Sequence, residues 1–76
     1  MTEMELMKTL GDNLKSLLDE WGYTQQELAD MVGVSKATIS YYIQGKRMPS
    51  LKALINIGHV LNCDVDDLID FDDRIS

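Results

Sequence analysis

The chain has 76 residues, 45% of them hydrophobic and 26% charged, which fits one small globular domain over residues 1–76 and excludes a disordered chain. Its formal net charge of −6 argues at first sight against nucleic acid, because phosphate contacts dominate affinity for DNA. The single cysteine, Cys63, excludes an internal disulfide, no apolar run approaches the roughly 20 residues of a membrane span, and the acidic start is unlike a signal peptide, so a soluble cytoplasmic protein is expected.

Residues 2–21 carry the first helical pattern. Met7, Leu10, Leu14, Leu17, Leu18 and Trp21 recur at three- and four-residue spacing and form one apolar stripe. Thr2 with Glu5 reads as a capping box, Gly22 ends the helix, and Gly11 within the stripe suits close approach of another helix. Thr24-Gln25-Gln26-Glu27 is a second capping-box start, for a helix that turns Leu28, Ala29 and Val32 inward. Gly33 suits a left-handed turn, and Val34 is placed to plug the space beneath it. Ser35 then caps a third helix running to about Ile43, with Ile39 and Tyr42 inward.

Gln44 to Pro49 reads as a loop. Ser50 caps a fourth helix, about Leu51 to Leu61, whose buried stripe is Leu51, Leu54, Ile57, Gly58 and Leu61, and Asn62 ends it in the left-handed region. Asp64 caps a last short helix, Val65 to about Ile69, with Val65 and Leu68 inward. No strand signal, repeat or low-complexity segment appears. Residues 1–9 read as an N-terminal helical extension and 70–76 as an acidic tail that Phe71 and Ile75 could anchor.

The distribution of charge matters more than its sum. Residues 1–30 hold seven acids and two lysines, and residues 64–76 hold six acids and Arg74. Residues 31–63 hold Lys36, Lys46, Arg47 and Lys52 and no acid at all. The only acid-free span therefore contains the third helix and the loop after it.

Two short helices joined at Gly33, the second with small and polar residues outward, suggest a helix-turn-helix whose second helix reads the major groove. By helical periodicity Lys36, Ala37, Ser40 and Tyr41 share the face opposite Ile39 and Tyr42. Lys36 suits guanine O6 or N7, Ala37 suits a thymine methyl, and Tyr41 suits either. Gln25, at a helix start, brings an amide and exposed backbone N–H groups to a phosphate.

The combination of Thr24-Gln25, Glu27-Leu28-Ala29, Gly33-Val34-Ser35, Thr38-Ile39-Ser40, Gly45-Lys46-Arg47 and Pro49-Ser50-Leu51 resembles the Cro/repressor type of helix-turn-helix regulator, the Xre family, from about Leu10 to Ile69. The resemblance implies an all-α fold, a compact five-helix bundle with the helix-turn-helix formed by helices two and three. It implies a transcriptional regulator, most naturally a repressor occluding an operator, acting on double-stranded DNA as a homodimer. Base contacts are implied for Lys36, Ala37 and Tyr41, with Ser40 and Thr38 as further candidates, and phosphate contacts for Thr24, Gln25, Ser35, Gln44, Lys46 and Arg47.

Two departures stand out. Many members place an arginine on the first helix and a glutamate at the end of the third as a buried ion pair. Leu18 and Ile43 occupy those positions here, so a hydrophobic contact is expected instead. The second departure is the acidity, which offers few cations for phosphates, so binding is expected to be weak as a monomer and to depend on dimerisation or a favourable operator. It also keeps a protein-interaction module on the same fold, an antitoxin or anti-repressor, as the alternative, with Met1, Met4 and Met7 sharing a helix face suited to a partner. No nucleophile–base pair, metal cluster or phosphate loop is evident, so neither an enzyme nor a cofactor is expected. His59 reads as a surface residue, Cys63 as a core thiol, and the C-terminal aspartates as a cap and a solvated tail, since they lack the glycine and terminal glutamate of a calcium loop.

Overall fold

The computed structural model describes residues 2–68, and their regular structure is all helical. In chain order these are α1 (Glu3–Trp21), α2 (Gln25–Val32), α3 (Lys36–Ile43), α4 (Leu51–Leu61) and α5 (Val65–Leu68). The expected five-helix bundle is thus four helices of two turns or more, closed by a single helical turn. Ile69, Phe71 and Ile75 lie outside the described residues, as do Met1 and the side chain of Val65.

The helix starts are set by the predicted side chains. Thr2 accepts the Glu5 N–H at 3.1 Å, while the Glu5 carboxylate accepts the Thr2 hydroxyl at 3.0 Å and N–H at 3.3 Å. The donors of Thr2 hold the Glu5 carboxyl below the usual carboxylate range. Ser50 receives the Ala53 N–H at 3.1 Å, and Asn62 ends α4 with φ 52°. At α5 the roles are reversed: the Asp64 N–H donates to the Asp67 carboxylate at 3.2 Å.

The core gathers Leu10, Leu14 and Leu18 of α1, Leu28 and Ala29 of α2, Ile39 and Tyr42 of α3, Ile57 and Leu61 of α4, and Leu68 of α5. Val32, Val34, Leu17, Leu54 and Ile43 are half-buried against it. One tie between the two ends of the chain had no signal in the sequence. Asn13 Nδ2 donates to the Leu68 carbonyl at 2.8 Å and fastens α5 to the middle of α1.

Two members of the expected stripes are not buried. Leu51, the first residue of α4, is 68% exposed, and Ala53 is the buried residue of that turn instead. Trp21 is 46% exposed. It ends α1 and stacks on Tyr23 across the turn at Gly22, with ring centroids 6.4 Å apart and planes 9° from parallel. No described helix is long and apolar enough to cross a membrane.

Candidate nucleic-acid interface

The turn between α2 and α3 is built from backbone upward. The Ala29 carbonyl accepts the N–H groups of both Gly33, at 2.8 Å, and Val34, at 3.0 Å. Gly33 has φ 85°, where a side chain would clash with its own backbone. Ser35 restarts the chain as a helix by accepting the Thr38 N–H at 3.1 Å, and the Ser35 and Thr38 hydroxyls share a hydrogen bond of 2.8 Å. Ile39, Leu28 and Ala29 are fully buried and Tyr42 nearly so, which fixes the rotation of α3 about its axis.

That rotation decides what α3 presents to solvent. Lys36, Ala37 and Tyr41 are exposed, Tyr41 by 45% of its surface. Thr38 and Ser40 are half-buried and already engaged: Thr38 with Ser35, and Ser40 as acceptor from Gln44 Nε2 at 2.7 Å. The open part of the expected reading face is therefore Lys36, Ala37 and Tyr41, with the two hydroxyls at its edge.

The candidate phosphate contacts lie at the starts of α2 and α3 and beyond the end of α3. Thr24 is exposed and accepts the Glu27 N–H at 3.1 Å, which leaves its hydroxyl proton free to donate. Gln25 is half-buried as the first residue of α2, and Ser35 is exposed at the start of α3. Gln44, Lys46 and Arg47 are exposed at the end of α3 and in the loop beyond it. That loop is held by the Gly45 N–H on the Tyr42 carbonyl at 3.1 Å and the Lys46 N–H on the Tyr41 carbonyl at 2.9 Å.

Two carboxylates had the potential to spoil the electrostatics of this surface. Both are tied to α2 itself. Glu27 accepts the Thr24 N–H at 2.9 Å, completing the capping box, and Asp30 accepts from Gln26 Nε2 at 2.9 Å. One cation escaped sequence reasoning. Lys8 belongs to the acidic first segment, yet the fold lays its backbone against Gly45, where an added Cβ would come 3.3 Å from the Lys8 Cα. Only the pairing of α1 with the loop after α3 brings them together, and no local pattern announces it.

Away from this face, His59 is exposed and Cys63 is a half-buried free thiol, its pKa pushed up by burial and then by Asp67 and Asp64. Among the described residues no group of histidine, cysteine and carboxylate side chains is placed to hold a metal ion. Met4 is 80% exposed and Met7 half-buried, so the methionine face is only partly open.

A family model described as Helix-turn-helix matches residues 14–68. The chain belongs to the helix-turn-helix family of transcriptional regulators. A relative described as an uncharacterized HTH-type transcriptional regulator of Archaeoglobus fulgidus is 44% identical over 55 residues, covering 72% of this chain and 79% of its own. Among solved structures, the clp gene regulator ClgR of Corynebacterium glutamicum superposes with a TM-score of 0.79 at 32% identity, over 83% of this chain and 67% of that one. The SOS-response transcriptional repressor LexA of Eubacterium rectale superposes with a TM-score of 0.82 at 26% identity, over 87% of this chain and 70% of that one. The Xre-type resemblance read from the capping boxes, the turn and the Gly45-Lys46-Arg47 loop agrees with this membership.

Proposed function

We propose that this protein binds double-stranded DNA in a sequence-specific manner as a homodimer, with α3 in the major groove, and represses transcription by occupying an operator. The observation that carries this reading is the division of α3. Ile39 and Tyr42 anchor it to the core while Lys36, Ala37 and Tyr41 stand open on a helix that bears no carboxylate. Lys36 donates to a guanine edge, Ala37 meets a thymine methyl, and Tyr41 reaches a base or the adjacent sugar. Thr24, Gln25 and Ser35 at one end and Gln44, Lys46 and Arg47 at the other grip phosphates and set the register. Two relatives lend support, since the A. fulgidus protein is named a transcriptional regulator and the E. rectale protein a transcriptional repressor.

Selection of bound sites from random duplex DNA tests this reading. It predicts enrichment of one motif in two inverted halves with centres about 10 base pairs or a multiple apart, as a two-fold dimer requires. Promoter DNA carrying that motif is then expected to lose transcription when the protein is added. Recovery of unenriched sequence rules out sequence-specific binding, and a single unpaired half-site rules out the dimer.

A further inference from the structure

The sequence divides into acidic and basic segments, but the folded surface does not follow that division. Gly11 faces the end of α3, where an added Cβ would stand 2.7 Å from the Tyr42 carbonyl oxygen. One turn earlier on α1, the Lys8 backbone packs on Gly45. The last turn of α3 and the loop after it therefore run along α1 from Gly11 to Lys8, and Lys46 and Arg47 are the two residues that follow Gly45 in that loop. Gly45 holds this register firmly. A side chain at its φ of 71° is strained, and an added Cβ would crowd the α1 backbone at 3.3 Å from the Lys8 Cα.

We propose that Lys8 is a DNA-backbone contact that joins Lys46 and Arg47 in one cationic rim at the C-terminal end of α3. The inference rests on the DNA-binding reading above. Lys8 is exposed, and among the described residues no carboxylate lies within ion-pairing distance of it. The acids that flank it on its own helix are Glu5 and Asp12, and Glu5 is drawn back to Thr2 by the capping box. α3 and the loop after it, residues 36–50, contain no carboxylate side chain. A phosphate strand entering at Lys46 and Arg47 meets Lys8 on the same rim, which supplies a third positive charge that the acidic total conceals.

A different role for the same lysine is to offset the negative end of the α3 dipole, where the Tyr42 and Ile43 carbonyls point at α1. Salt dependence separates the two. With the selected site as probe, the dissociation constant is measured across a salt series for the wild type, Lys8→Gln, Lys8→Arg and Lys46→Gln. The slope of log K against log salt is expected to shrink by about 0.9 for each phosphate that a variant no longer neutralises, roughly twice that for a dimer, in Lys8→Gln as in Lys46→Gln. Lys8→Arg is expected to keep the wild-type slope. A Lys8→Gln slope equal to wild type overturns the proposal, whether or not the melting temperature falls. Absence of wild-type binding to any selected site overturns the DNA-binding reading itself.

Discussion

Gly11 of α1 lies against the backbone carbonyl of Ile43 at the end of α3, so the distance between these two helices is set by a hydrogen atom where any other residue places a carbon. Exchanging Gly11 for alanine improves helix propensity by about 1 kcal/mol. The new Cβ meets backbone atoms, which cannot rotate away as a side chain can, and overpacking of this kind costs about 1–3 kcal/mol. Gly11→Ala is therefore expected to lower the melting temperature in a circular-dichroism melt, and it should weaken DNA binding more than its stability loss explains, since α3 must tilt. A variant at least as stable as wild type means that α1 and α3 are not this close.

Ile43 itself is half-buried against the cluster that contains Leu18, in the two positions where related regulators often carry an ion pair. Ile43→Glu is expected to destabilise the protein by about 1–3 kcal/mol, the cost of a carboxylate with no hydrogen-bonding partner in an apolar setting. Adding Leu18→Arg tests whether the two side chains face each other. Recovery of about 0.5–3 kcal/mol relative to the sum of the single losses is the expected coupling. Strict additivity contradicts the pairing.

Tyr41 and Tyr42 are neighbours with opposite duties, being 45% and 5% exposed. Tyr42→Ala is expected to cost about 3–5 kcal/mol, as for other large aromatic truncations in cores. Tyr41→Ala is expected to stay within about 0.5 kcal/mol of wild type while losing affinity for the selected site. Denaturant titrations of the two variants make the comparison. A destabilised Tyr41→Ala places that ring in the fold rather than on the reading face.

What could be read before folding and what could not divide along physical lines. Capping and turn chemistry act within four residues, so Thr2, Thr24, Gly33, Ser35, Ser50 and Asn62 all announce their roles locally, and the structure shows each in that role. Burial depends on where a neighbouring helix ends. Leu51 and Trp21 fit the spacing of their stripes, yet both sit at helix termini and stay exposed there. Contacts between distant segments were invisible: Asn13 with Leu68, and Lys8 with Gly45. The rotation of α3 was legible because Ile39 and Tyr42 are the apolar pair facing Leu28 and Ala29 in the core. That rotation orders the candidate site, whereas the hydrogen bonds that engage Thr38 and Ser40 became visible only in three dimensions.

Cys63 gives a check on the lower end of the molecule. Burial first, then the Asp67 and Asp64 carboxylates, disfavour its thiolate, so its pKa is raised. Because the thiolate is the reactive form, a disulfide reagent is expected to react more slowly with the folded protein than with the same chain in denaturant at mildly alkaline pH. The pH at which the folded rate reaches half its maximum should be higher as well. Equal rates and equal midpoints contradict the partial burial of Cys63 beside the Asp67 and Asp64 carboxylates.

Whether the exposed face of α3 reads DNA is measured most directly by fluorescence anisotropy with the selected duplex, comparing the wild type with a Lys36→Glu/Tyr41→Ala double variant. Wild-type binding is expected to weaken steeply with salt, and the double variant is expected to lose binding while its helical melt is retained. A double variant that binds as tightly as the wild type, with the same salt dependence, contradicts a reading role for α3.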